Sequence, residues 1–165
     1  MKKKIILPDY KKILSLEKIA NKDGSGINFG ELINKWKFLY VWKKGSDSVD
    51  NISSSLLQVL SASLELSKIE SKDDKQVFEI KNSIKFGILS IVFLGKAFLK
   101  GDRPLLYFYF ENLYIKVGNF NLINKSIEEI KIKNMPFFSL IAIDKRKEWL
   151  CARGKGGGLA IWLKN

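Results

Sequence analysis

Lys35-Trp36-Lys37-Phe38-Leu39-Tyr40-Val41-Trp42-Lys43 places Trp36, Phe38, Tyr40 and Trp42 at every second position, with Lys35, Lys37 and Lys43 among the residues between them. Successive side chains of an extended strand point to opposite faces. A period of two therefore predicts a β-strand with one aromatic face and one mostly wet face. Four large rings on one face have two readings. They form a filled core, or they line an apolar pocket in which Trp and Tyr also offer a polar tip.

Upstream of this strand the period changes. Asp9 is a capping residue, Ile13, Leu16, Ile19 and Ala20 return at helical spacing, and Asp23-Gly24-Ser25-Gly26 ends the run, which predicts a helix over 9–21. A second short helix is expected over 28–34. Downstream, Leu64 and Leu66 alternate with polar neighbours, Lys72-Asp73-Asp74-Lys75 reads as a hairpin turn, and 76–83 as the returning strand. Residues 84–99 are more uniformly apolar than their neighbours, consistent with one or two buried strands kinked at Gly87 or Gly95. After a turn at 100–104, residues 105–117 are dense in β-formers, including Tyr107, Phe108, Tyr109, Phe110 and Tyr114. Residues 119–136 read as irregular or as a short helix around 126–131. Closing strands follow over 137–144, 148–153 and 159–163. The expected fold is mainly β: an antiparallel barrel of about eight or nine strands (35–163) after one or two N-terminal helices (1–34), in one domain.

Composition excludes several function classes. The chain has no histidine and one cysteine, Cys151. A Ser-His-Asp triad and a Cys-His pair are ruled out, and a zinc or iron–sulfur site has no ligand set. The acidic pairs Asp73-Asp74 and Glu128-Glu129 read as solvated. No catalytic residue, metal or cofactor is expected. A lone cysteine permits no internal disulfide and suits a reducing compartment. The opening Met1-Lys2-Lys3-Lys4-Ile5-Ile6-Leu7 imitates a secretion signal, but Pro8 and Asp9 stop the apolar run short of the roughly 7–15 residues required. The longest apolar stretch, 86–95, falls short of the roughly 20 residues of a membrane-spanning helix. A cytoplasmic, non-secreted protein is expected.

The net charge of +12 comes from 29 basic residues, of which only Arg103, Arg146 and Arg153 are arginine. Readers of nucleic acid depend on the bidentate fork of arginine, so this balance argues against a nucleic-acid partner. A lysine-rich exterior is a solvated surface, and it also attracts an anionic membrane face. The run Arg153-Gly154-Lys155-Gly156-Gly157-Gly158 lacks the spacing of a phosphate-binding loop. It reads as a hairpin turn, with a small anion-binding concavity as the alternative.

Two ends of the chain carry a resemblance. Leu32-Ile33-Asn34-Lys35-Trp36, leading on to Phe38-Leu39-Tyr40, resembles the opening of the plastid lipid-associated proteins, the fibrillins, which are lipocalin-like relatives found in chloroplasts and cyanobacteria. Ile143-Asp144, Arg153-Gly154, Gly158 and Leu159-Ala160-Ile161-Trp162 look like the signature that closes those proteins. Arg103-Pro104-Leu105-Leu106 and Phe108-Tyr109-Phe110-Glu111-Asn112-Leu113 are similar to their central strand. Asn34 departs from the glycine usual there, and the interval from Asp144 to Arg153 is longer than usual.

The resemblance implies a cyanobacterial-type, lipocalin-like barrel that holds an apolar small molecule (lipid, quinone or pigment) beside the thylakoid membrane. It also implies that Trp36 plugs one end beneath Arg153 in a cation–π contact. Phe38, Tyr40, Trp42, Tyr107, Tyr109 and Trp162 are then the expected ligand-binding residues. Two other functions fit such a barrel. One is a bilin-attaching lyase using Arg153 and Asp144 to orient a tetrapyrrole; the other is a filled structural barrel acting through protein partners.

Overall fold

The helices form where the capping residues allow. In the computed structural model, which describes residues 6–50, 62–69, 77–102, 104–128, 130–144, 146 and 148–165, α1 runs Tyr10–Asp23. The Asp9 carboxylate accepts from the Lys12 backbone N–H at 2.7 Å, a cap contributing about 1 kcal/mol. Gly24, at φ 83°, ends the helix. Ile13, Glu17 and Ala20 form its buried row, and Ile19 faces solvent. The short α2 (Phe29–Leu32) begins with a reciprocal capping box between Asn28 and Glu31. The expected turn at 72–75, Arg103 and Glu129 lie outside the described residues.

Nine strands follow among the described residues: β1 (Asn34–Trp42), β2 (Ser63–Lys68), β3 (Val77–Phe86), β4 (Leu89–Lys100), β5 (Leu105–Val117), β6 (Phe120–Ser126), β7 (Phe137–Ile143), β8 (Trp149–Gly154) and β9 (Leu159–Lys164). They make one antiparallel sheet in the order β4-β3-β2-β1-β9-β8-β7-β5-β6, and a further β4–β5 pairing closes it in a ring with β6 attached outside. The mainly β, barrel-like expectation therefore holds. The apolar run at 84–99 is divided by the Gly87-Ile88 turn between β3 and β4. β6 corrects the expectation of an irregular segment or a helix at 119–136, where, among the described residues, the helical turn is a 3₁₀ one at Ile132–Asn134. β6 is exposed at every position. Its alternation, Phe120-Asn121-Leu122 and then Ile123-Asn124, is broken by the bulge at Leu122, and pairing with β5 makes it a strand.

Two apolar clusters flank the sheet. The inner one contains Trp36, Phe38, Leu64, Leu66, Phe78, Ile80, Leu106, Leu150 and Trp162, and it takes in Phe29 and Leu32 of α2. The outer one lies between α1 and the sheet, and includes Ile13, Trp42, Ile141, Trp149, Cys151 and Ile161. Of the four bulges among the described residues, one lies between β5 and β6 at Leu122, and the other three decide which side chain enters which cluster. They displace the pairing between Phe38 and Tyr40, opposite Leu94/Gly95 at Glu111, and between Leu140 and Ala142. Gly95 is required at its bulge. A Cβ there would overlap the Tyr109 carbonyl oxygen and stand 2.6 Å from Phe110 Cα.

Candidate functional site

The interior of the ring is solid at one part and hollow at another. The solid part is built on α2 and the start of β1. Trp36 is fully buried, its indole N–H donates to the Leu32 carbonyl at 3.0 Å, and Phe29 stacks on Phe78 with centroids 3.9 Å apart. The hollow part is a partly open cavity of about 160 Å³. Its walls are Phe38 from β1, Ala62 before β2 with Ser63 and Leu64 from it, Ile80, Asn82 and Ile84 from β3, Phe108 and Phe110 from β5, Phe138 from β7 and Trp162 from β9. The rings brace one another. Phe138 lies 5.1 Å from Phe108 and 5.4 Å from Trp162, which meets Phe38 edge-on at 6.4 Å. Such pre-packed aromatic walls keep an apolar space open without rearrangement. Asn82 adds an amide to this lining, and it has no hydrogen-bond partner among the described residues. A cavity with mostly apolar walls and an amide among them suits an apolar ligand bearing one hydrogen-bonding group.

Of the six expected ligand contacts, Phe38 and Trp162 line this cavity and four do not. Tyr40 and Trp42 were expected on the face of Phe38, but the bulge inserts Leu39 and reverses the alternation. Both therefore pack in the outer cluster, where Trp42 lies 6.1 Å from Tyr10 of α1. Tyr107 and Tyr109 pair with Phe98 and Lys96 on the outer face of β4, and Tyr107 stacks on Phe98 at 5.7 Å. Their neighbours Phe108 and Phe110 point inward instead. In β5 large side chains occupy both faces, so period alone cannot say which is the inner one.

The Trp36–Arg153 plug is likewise corrected. Arg153 leaves β8 on the face opposite the interior and reaches α1. Its Nε and Nη2 each donate to a Glu17 carboxylate oxygen at 2.6 Å, and Nη1 donates to the Gly157 carbonyl. The Glu17 hydrogen bonds raise the guanidinium above its ordinary pKa. Trp36 keeps its buried position without that partner. Sequence reasoning passed over Glu17, whose signal is an acid in the middle of the apolar row Ile13, Glu17, Ala20.

The glycine run is the hairpin turn between β8 and β9. Gly157, at φ 91°, donates its N–H to Gly154, and the Gly154 N–H to Gly158. The hydrogen bonds of the turn thus occupy two of the N–H groups that an anion would need. Cys151 is fully buried in the outer cluster, and desolvation pushes its thiol up to about 12. It is therefore a packing residue, not a nucleophile. Among the described residues no group of acids or sulfur ligands could hold a metal, and no helix is long and apolar enough to cross a membrane. Compared with known proteins, the chain matches no family model and no curated sequence.

Proposed function

We propose that this protein is a non-enzymatic carrier that holds one apolar small molecule inside its ring of strands and works at a membrane surface. The observation that carries the reading is the cavity walled by Phe38, Phe108, Phe110, Phe138 and Trp162, with the amide of Asn82 among them. About 160 Å³ compares with the roughly 150 Å³ apolar cavity known to hold benzene. It falls below the roughly 300–1,000 Å³ of pockets for larger ligands. A single ring with one carbonyl or hydroxyl, such as the head of a quinone lipid, matches both the volume and the amide. A tetrapyrrole would leave most of its length outside, which weighs against the lyase reading. The fibrillin-like motifs at 32–40 and 143–162 support a lipocalin-like barrel, and with it a thylakoid setting, a role in a photosynthetic membrane and a cytoplasmic-side location. Apolar ligand and anionic lipid are the partners, with no nucleic acid.

Trp162 in the wall makes the reading directly testable, because a bound quinone quenches nearby indole emission. Titration with a decyl-substituted benzoquinone is expected to give saturable, one-to-one quenching. Phe108→Trp, which fills the cavity, should abolish the saturable phase. Asn82→Leu should weaken quinone binding roughly three- to tenfold, the worth of one neutral hydrogen bond, and leave binding of a plain hydrocarbon ring unchanged. Linear, unsaturable quenching in the native protein would sink the carrier reading, as would Phe108→Trp binding like the native protein.

A further inference from the structure

The inner face of β3, β4 and β5 does not stop at the cavity. Phe86 on β3, Leu89 on β4, Val117 on β5 and Phe120 on β6 stand directly opposite one another across four strands. One step nearer the cavity, Ile84, Ile91, Ile115 and Ile123 make a second such row. Ile84 is itself part of the cavity wall. The two rows are thus a continuous apolar track leading from the cavity out to the Gly87-Ile88 and Gly118-Asn119 turns. At the far end it is bare: Phe86 is 62% exposed, Ile88 73%, Phe120 77% and Leu122 64%. Large apolar side chains clustered at the tips of adjacent hairpins, rather than scattered, mark an interaction surface.

Charge identifies the occupant. Residues 84–91 and 113–126 carry Lys85, Lys116 and Lys125 and no acid. On the outer face of the sheet, Lys85 of β3 joins Lys35 and Lys37 of β1 and Asn165 around a polar hollow floored by the hydrogen-bonded hydroxyls of Ser63 on β2 and Ser83 on β3. Apolar residues at a tip with a collar of lysines behind them match the layering of an anionic bilayer, with acyl chains beneath a negatively charged headgroup zone.

We infer that the paired tips of the β3–β4 and β5–β6 hairpins enter an anionic lipid bilayer, with Lys35, Lys37, Lys85 and Lys116 against its headgroups. The inference rests on the membrane-surface part of the proposed function and names the element that makes the contact. It also gives the track a use: a ligand can pass between bilayer and cavity without crossing water.

The test is co-sedimentation with vesicles of phosphatidylglycerol and phosphatidylcholine, compared with pure phosphatidylcholine. The native protein should bind the anionic vesicles at least about tenfold more tightly. The triple variant Phe86→Ser/Ile88→Ser/Phe120→Ser and the triple variant Lys37→Gln/Lys85→Gln/Lys116→Gln should each lose about tenfold or more, consistent with the per-lysine attraction. The apolar variant should melt like the native protein, because its side chains are exposed; the basic one gives up only the contact of Lys116 with the Tyr114 ring at 5.7 Å, so its melting point should move little. In Ile88→Trp, the introduced indole should shift to shorter wavelength on binding and be quenched by brominated lipid. The inference is overturned if the native protein ignores anionic vesicles, or if Ile88→Trp binds without quenching. It also fails if the apolar triple variant binds normally and instead loses self-association, which would assign the tips to a second copy of the chain. Quinone quenching measured without vesicles reads the cavity separately, so failure of either idea is distinguishable from failure of the other.

Discussion

Arg153 links the last hairpin to α1, and removing it should loosen that junction while leaving the interior intact. Glu17 is only 8% exposed, and the Arg153 side chain is 26% exposed, so the two hydrogen bonds of 2.6 Å are made largely out of water. Stripping one member from a buried ion pair costs about 3–5 kcal/mol. The lower end applies here because the guanidinium retains some solvent. Arg153→Met should therefore lose about 3 kcal/mol, which for a chain of this size lowers the melting temperature by roughly 6–12 °C. Glu17→Gln keeps the shape and an acceptor, and should lose only about 1–2 kcal/mol. The Glu17→Leu/Arg153→Met double variant removes both charges and should recover much of the loss. Urea unfolding followed by tryptophan emission gives the coupling energy of the cycle, expected at about 2 kcal/mol between Arg153 and Glu17. The parallel cycle with Trp36→Phe should give a coupling near zero, because Trp36 lies on the other side of the sheet. A Glu17 coupling below about 0.5 kcal/mol, or a Trp36 coupling of equal size, would refute this assignment and restore the plug.

Two further outcomes follow from the same geometry. Gly95→Ala should destabilise by about 1–3 kcal/mol as β5 is forced away, whereas Gly156→Ala, with open space around its Cβ, should stay within about 0.5 kcal/mol; equal unfolding midpoints would contradict the close approach at the bulge. Cys151, ordinarily near 9.0 and here pushed up to about 12, should react with a disulfide reagent at pH 8 only after denaturation, read as thiol release. Because the folded state holds this proton more tightly than the unfolded one, its effect on stability is flat below pH 9 and declines as pH rises from there towards 12.

The residues alone determined the class of fold and most element positions. Asp9 and Asn28 place the helix starts, the turn glycines Gly101 and Gly157 mark strand ends, and alternation exposes β1 as a strand, because capping, positive φ and the two-residue period are local properties of the chain. They also determined what chemistry is absent, since a chain without histidine cannot build the commonest general base. The tertiary structure decided which face is which. One inserted residue, Leu39, sends Tyr40 and Trp42 to the outer cluster. In β5, where bulky side chains fill both faces, only the pairing with Gly95 and Ala97 turns Phe108 and Phe110 inward and leaves Tyr107 and Tyr109 outside. A bulge is a property of two paired strands, so its position is not written in either one. For the same reason, the partnership of Arg153 with Glu17, 136 residues apart, and the alignment of the apolar tips across β3 to β6 are products of packing alone.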